Sequence, residues 1–328
     1  MSPDARILSA LRRSGESGTS GAELARELGI SRAAVWARIE ELRRLGYDIM
    51  ASPHQGYVLG STPDCLHADD LLSRLPGSQV VGRSIQVFSQ TASTNDIVDK
   101  LARDGVEEGV AVFAESQTHG RGRLGRRWES PSGKGLWFSV LLRPRLHPTS
   151  ATQLTVMTAV AVARAIQRSI GHAPEIKWPN DLLFAGRKCG GILLEMGAEL
   201  DHIRHVTLGI GLDVNVHAEQ FPAHVRSIAT SLSAEAGRIV DRPALAALVL
   251  EELDMAYAQV VQGRFPPLAE EWQRRCTTLG KRVSIRIGPR ELTGRAEALD
   301  EQGALLLRTD HGHLERIVGG DVTLLGIS

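Results

Sequence analysis

Apolar residues recur at helical spacing at the start of the chain and then give way to short alternating runs. Ile7, Leu8 and Leu11 share one face of a helix predicted over 3–13, which the polar run 14–19 ends. A second helix begins near Ser20 and runs to Leu28. Gly29 and Ile30 make a short turn, and Ser31 is a good N-cap for a third helix over 32–44. Val35, Ile39 and Leu42 face inward on that helix, which turns Arg32, Ala33, Trp36 and Arg38 outward. Two short strands, 48–52 and 57–60, joined through Pro53 and Gly56, complete a winged helix-turn-helix pattern. An ordinary three-helix packing unit would use the same pattern. Ser31, Arg32, Ala33, Trp36 and Arg38 are the residues placed to meet a DNA groove.

A linker is expected at 61–64, and from Cys65 strands and helices alternate. Strands are predicted over 80–90, 109–115, 136–142 and 206–215, with helices over 97–103, 152–170 and 243–262 and a last one ending at Arg275. Segments 175–184 and 186–195 read as two strands meeting as a hairpin, with a turn at Pro179 that presents Asn180 and Asp181. Five short strands from 282 to 325 suggest a small SH3-like barrel. The expected units are therefore 1–62, 65–276 and 279–328, in a multidomain α/β (α+β) architecture.

Composition narrows the functional class. Charge balances at 38 basic against 38 acidic residues, so the chain has no global field for nucleic acid, and DNA binding must rest on local placement. No run is long enough to span a bilayer and no signal peptide is evident, so a cytoplasmic protein is expected. Three scattered cysteines without C-x-x-C spacing argue against a disulfide framework or a zinc site.

The chemistry concentrates in a loop carrying Gly120, Arg121, Gly122, Arg123, Gly125, Arg126 and Arg127, which holds no acid. Glycines let backbone amides approach an anion, and guanidinium groups add bidentate hydrogen bonds. The letters satisfy G-x-G-x-x-G, but that fingerprint needs a helix opening at its end, and Trp128 to Gly133 is turn chemistry. A P-loop fails as well, since Trp128 and Gly135 stand where Gly and Ser or Thr belong.

The loop pattern G-R-G-R-x-G-R-x-W, the run K-W-P-N-D at Lys177–Asp181, the run R-K-x-x-G-I-L-x-E from Arg187 to Glu195, and the earlier Ser93-Thr94-Asn95 occur in the order found in biotin protein ligases. With its N-terminus the whole chain resembles the BirA family, the bifunctional biotin protein ligases and biotin operon repressors. The resemblance implies a central mixed-sheet, class II synthetase-like ligase domain. Such an enzyme activates biotin with ATP and Mg2+ to biotinyl-5′-AMP and transfers it to a lysine of biotin carboxyl carrier protein. It also implies operator DNA as a partner and a ligand-dependent homodimer.

The same resemblance assigns site residues. Biotin would meet Ser93, Thr94, Asn95, Gln117, Arg121, Gly122, Arg123 and Lys188. Seen as sequence alone, the Ser93 triplet is equally a helix cap. ATP or the adenylate would meet Arg121, Arg123, Arg126, Trp128, Lys177, Asn180 and Asn215, while Lys188, Arg121 and Arg123 stabilise the charge at phosphorus. Asp181 is either a magnesium ligand or a turn cap. Two positions depart from the pattern: Leu124 stands where relatives are commonly basic, and Asp213 where the family usually has asparagine. A lipoate-type ligase, or a transcription factor that senses the adenylate with little turnover, are the rival readings.

Overall fold

The computed structural model describes all residues except 76, 78, 79 and 326–328. Its N-terminal unit is α1 (Pro3–Ser14), α2 (Gly21–Leu28), α3 (Arg32–Arg44) and the antiparallel pair β1 (Asp48–Ser52) and β2 (Gly56–Ser61). Each helix starts on a serine whose hydroxyl accepts an orphan N–H: Ser2 from Ala5, Ser20 from Glu23 and Ser31 from Ala34, all at 3.1 Å. Gly29, at φ 70°, ends α2 in the left-handed region that glycine alone adopts freely, and so sets the turn into α3. The core is Ile7, Leu8, Leu11, Leu24, Val35, Ile39 and Leu42 with Tyr47 and Ile49 beneath the wing.

The helix α4 (Ala68–Arg74), absent from the sequence reading, follows. Next come β3 (Ser84–Phe88), α5 (Thr94–Arg103), β4 (Val110–Ala114), β5 (Gly135–Leu142), α6 (Ala151–Ile170), β6 (Glu175–Lys177), β7 (Asp181–Phe184), β8 (Arg187–Ala198) and β9 (Ile203–Asp213). The hairpin expected over 175–195 is thus three strands, because the turn at Pro179 divides the first. The short α7 (Leu232–Ala236) and the long α8 (Arg242–Val261) and α9 (Pro266–Arg275) complete the body.

Seven strands form one mixed sheet in the order β3-β4-β5-β9-β8-β7-β6, in which β3 and β4 are parallel and every other pair antiparallel. The mostly apolar α6 lies against one face with α8, as its Ala, Val and Thr run requires. Its Thr158 hydroxyl is satisfied by the Leu154 carbonyl at 2.6 Å. On the other face α5 covers only one end, through Val98, Ala102, Val110, Val112 and Leu141. The rest of that face stays open.

The C-terminal strands β10 (Arg282–Ile287), β11 (Arg290–Leu299), β12 (Leu305–Thr309), β13 (Leu314–Ile317) and β14 (Asp321–Leu324) form an antiparallel sheet in the order β13-β12-β11-β10-β14. No β13–β14 pairing occurs among the described residues, so the expected barrel is a curled sheet open at one seam. Val283, Ile285, Ala296, Leu305 and Leu307 bury into the same cluster as α6 and α9, so this unit shares the body's core. The last three residues of the expected 279–328 unit lie outside the described residues.

The segment expected as a free linker is firmly held. Ser61 ends β2, the Thr62 hydroxyl accepts from Arg74 at 3.3 Å, and Asp64 takes Arg242 through its carboxylate at 3.0 Å and its carbonyl at 2.8 Å. Between α1 and α4, Arg12 meets both Asp70 and Ser73, and Arg74 meets Asp70 from the other side at 2.9 Å. Asp70 is 1% exposed, so it depends on these two guanidinium groups. We expect Arg12→Ala to cost about 1.5–3 kcal/mol, the value of a hydrogen bond to a charged group, since Arg74 remains. Urea unfolding should show a lower midpoint at unchanged slope; an unshifted midpoint would mean that the contact between α1 and α4 carries no weight.

Candidate active site

Three adjacent strands supply the open part of the sheet, and glycine occupies its floor. Trp137 of β5 faces Gly211 of β9, which faces Gly191 of β8; one row along, Ser139 faces Gly209. A Cβ on Gly209 would stand 2.3 Å from Asn95 Oδ1, and one on Gly211 2.7 Å from the Trp128 indole. Both side chains therefore lie directly on backbone. Trp137 sits edge-on to Trp128 with ring centroids 6.3 Å apart, while Phe138 points to the opposite face and stacks on Phe113 at 4.6 Å.

At one end of this groove the structure gathers Thr94, Asn95 and Gln117 as the sequence suggested. Gln117 Oε1 accepts the Thr94 N–H at 2.9 Å, Thr94 Oγ1 lies 2.7 Å from Ser139 Oγ, and Ser139 Oγ donates to Asn95 Oδ1 at 2.5 Å. Asn95 Nδ2 donates to Glu195 at 2.6 Å, and Gln117 Nε2 to Ser130 at 3.0 Å. Ser93 occupies the N-cap position of α5, but its side chain makes no capping bond. The cap reading of the triplet thus fails at Ser93, and Gln117 serves the helix end instead. Ser139, Ser130 and Glu195 were not legible as site residues, because each reaches the cluster only through strand pairing.

The arginine loop closes over the middle of the groove. The Gly122 N–H donates to the Arg126 carbonyl at 2.7 Å and the Trp128 N–H to the Gly120 carbonyl at 2.9 Å, so residues 121–127 form a tight excursion with no helix after it. Leu124, at φ 58° and 69% exposed, sits at its tip in a conformation costly for a branched residue. Every cation here already has an oxygen partner. Arg121 holds Asp96 at 2.7 Å and Glu195 at 3.3 Å, Arg123 reaches Asn180 and the Gly320 carbonyl at 3.4 Å, and Arg126 pairs with Asp321 of β14. Lys188 holds Asp181 at 2.5 Å and stands 5.2 Å over the Trp128 ring. Burial pushes the Arg123 guanidinium down, against the fields of Asp181 and Asp321.

Several expected roles change. Asp181 is the counter-ion of Lys188, and no group of three His, Cys, Asp or Glu gathers for a metal among the described residues. Asn215 turns away from the groove: its amide donates to the Val240 carbonyl at 2.9 Å and accepts the Val240 N–H at 3.0 Å, so it pins the chain after β9. Asn180 gives its amide to the Ile192 carbonyl at 2.7 Å and keeps its oxygen toward Arg123. Lys177 is half-buried at the end of β6, across from Asp181.

Behind the groove Arg242, 1% exposed, joins Glu115 at 2.7 Å, the Gly135 carbonyl at 3.2 Å and Asp64. Sequence reasoning missed it, since an arginine at a helix start carries no motif.

On the winged helix, Arg32, Ala33 and Trp36 are exposed on α3, Trp36 at 57%. Arg38 is drawn back toward Asp4 of α1 at 3.6 Å, and the Ser31 hydroxyl is occupied as the cap of α3. These two are corrections to the expected DNA-facing set. No helix among the described residues is long and apolar enough to cross a membrane.

Comparisons with known proteins fit this geometry. Residues 87–213 match the biotin/lipoate A/B protein ligase family, 5–58 an HTH domain and 278–325 the biotin protein ligase C terminal domain. The bifunctional ligase/repressor BirA of Bacillus subtilis is 36% identical over 97% of both chains. Its counterpart in Escherichia coli is 32% identical over 93% of this chain and 92% of that one. Among solved structures, a biotin protein ligase from Aquifex aeolicus in complex with biotin and ATP superposes with a TM-score of 0.63 at 28% identity, covering 74% of this chain and 99% of that one.

The glycine floor yields a test without any ligand. Gly211→Ala should displace the Trp128 ring and alter the near-ultraviolet circular dichroism, with stability reduced by about 1–3 kcal/mol for overpacking. An unchanged aromatic spectrum would place Trp128 elsewhere.

Proposed function

This chain belongs to the family of bifunctional biotin protein ligases and repressors, and from that premise we propose how its own residues carry the two activities. The enzyme joins biotin to protein with ATP, and a helix-turn-helix unit gives it the repressor's DNA-binding part. The observation that carries the reading is the groove itself, with a hydrogen-bonding cluster at one end, arginines and a lysine at its middle, and a floor of glycine.

Biotin's carboxylate is a poor acyl donor. Its attack on the α-phosphorus of ATP forms biotinyl-5′-AMP and releases pyrophosphate; the ε-amine of an acceptor lysine then attacks the acyl carbon, and AMP leaves. Thr94, Asn95, Gln117 and Ser139 offer both donors and acceptors suited to the ureido ring. Arg121, Arg123 and Lys188 would exchange Asp96, Glu195, Asn180 and Asp181 for ligand oxygens, so that charge at phosphorus meets cations already in place. Trp128 would cover the intermediate and keep water away. Arg126 must leave Asp321 before it can meet a phosphate. Magnesium enters as the ATP complex, because Asp181 alone, held by Lys188, does not build a site for it.

The acceptor is the carrier domain of a biotin-dependent carboxylase, and the unit divisions remain 1–62, 65–276 and 279–328. For DNA, α3 would present Arg32, Ala33 and Trp36 to a groove. One such module with few cations binds weakly, so a ligand-promoted homodimer would supply the second.

Lys188→Ala should lower biotin-dependent ATP–pyrophosphate exchange by roughly 10²-fold, the usual cost of one preorganised charge contact. A near wild-type rate would reject its role, and exchange driven by lipoate instead of biotin would reject the substrate. For the second activity, Arg32→Ala should weaken operator binding and flatten its salt dependence by about one unit of slope, without changing exchange. Sedimentation should show a tighter dimer with biotin and ATP than without; an identical dimer constant would reject the coupling.

A further inference from the structure

At the end of β9 stands a carboxyl group that the chemistry above does not use. Asp213 is 7% exposed, and among the described residues no hydrogen bond or ion pair reaches its carboxyl. It lies two residues beyond Gly211 on the same face of the sheet, with Gly135 of β5 opposite it, so no facing side chain fills the space in front of it. An unpartnered polar group buried to this degree is costly unless something else satisfies it.

Position along the groove indicates what that is. Asn95 rests on Gly209, Trp128 on Gly211, and Asp213 comes next. At the rise of an extended strand, the step from Gly209 to Asp213 is ~13 Å. The cations lie between, with Lys188 over Trp128 and its field reaching Asp213. An acyl adenylate has the same order of parts: acyl group, phosphate, ribose, base. With the acyl group at the Asn95 end, Asp213 stands where the base arrives.

The surroundings decide its protonation. Lys188 of β8 favours the carboxylate, but that lysine is engaged by Asp181. The Cys189 thiol is buried and itself pushed up by desolvation. Behind Gly135, Arg242 of α8 is committed to Asp64 and Glu115, and Glu235 of α7 is held by Arg187 and Thr230. Burial outweighs the field of Lys188 and holds the Asp213 carboxyl well above the usual carboxylate range.

We infer that Asp213 is a specificity-determining residue for the nucleotide, meeting the edge of the adenine with one O–H donor and one carbonyl acceptor, as the amide of an asparagine would. The adenine edge offers an N–H donor beside a ring-nitrogen acceptor, which matches a neutral carboxyl. An ionised carboxylate offers two acceptors and matches the two adjacent N–H donors of guanine instead. Nucleobase choice in this chain is therefore tied to a proton. The reading of the groove as an adenylate site is its premise.

The test is nucleotide binding to the full-length protein, followed by tryptophan fluorescence between pH 5.5 and 9 with ATP and with GTP. Wild type is compared with Asp213→Asn and Asp213→Leu as ratios, so that titration of the triphosphate cancels. ATP affinity of the wild type relative to Asp213→Asn should fall roughly tenfold per pH unit above the carboxyl's midpoint, as only the protonated fraction binds. Over the same range its preference for GTP over ATP should rise, and the asparagine variant should show no such rise. Asp213→Leu should bind ATP at least about tenfold more weakly at every pH, since it leaves the base edge unpaired.

A ratio flat with pH would overturn the inference. So would an asparagine variant that weakens ATP binding most at high pH, because Asp213 would then be a counter-ion of Lys188. Absence of biotin-dependent exchange in the wild type would instead reject the adenylate site, and this proposal with it.

Discussion

An antiparallel sheet normally carries side chains on both faces, and here one patch carries almost none. Gly191, Gly209 and Gly211 strip β8 and β9 to backbone where β5 lies beside them, which lets Asn95 and Trp128 rest at van der Waals distance on the strands. Most of the site follows from that constraint. The groove is deep because the floor is bare, and it is rigid because the floor is the hydrogen-bonded centre of a seven-stranded sheet whose far face is packed by α6 and α8. A methyl group at either of two positions would fill it.

The cations above the floor are kept in place without a ligand by acids borrowed from elsewhere in the chain. Asp96 and Glu195 stand against Arg121, Asp181 against Lys188, and Asp321 from the C-terminal sheet against Arg126. Such exposed or half-exposed pairs are individually weak. Exchanging them for a phosphate therefore costs little, and the arginines need not be reordered from solvent. The C-terminal sheet takes part in this arrangement through Asp321 and the Gly320 carbonyl, which ties a unit outside the ligase sheet to its loop.

Local signals were readable in the sequence, and long-range ones were not. Caps and periodicity placed α1 to α3 and the wing, since Ser31, Gly29 and the Val35–Ile39–Leu42 stripe act within a few residues. The loop, Thr94, Asn95, Gln117 and Lys188 were found because their types are unusual at those spacings. Ser139, Glu195 and Arg242 carry no local mark; they become site residues only when strand register or helix packing brings them there. Asn215 misled for the converse reason, as a polar residue after glycines looks like a ligand contact until Val240, 25 residues on, is found to occupy its amide. The helix α4 was missed because its short, acidic stretch gains its stability from Arg12 across the junction.

That junction bears on geometry far from the groove. With Asp70 clasped by Arg12 and Arg74, and Asp64 by Arg242, the winged helix cannot swivel on a slack tether. In a pair of chains, the angle and separation of the two α3 helices would then be dictated by how the ligase bodies meet. Half-sites on DNA would have to match that spacing in helical phase: inserting half a turn of duplex between them would put the second site on the wrong side of the double helix, and no bending at 61–64 would recover it.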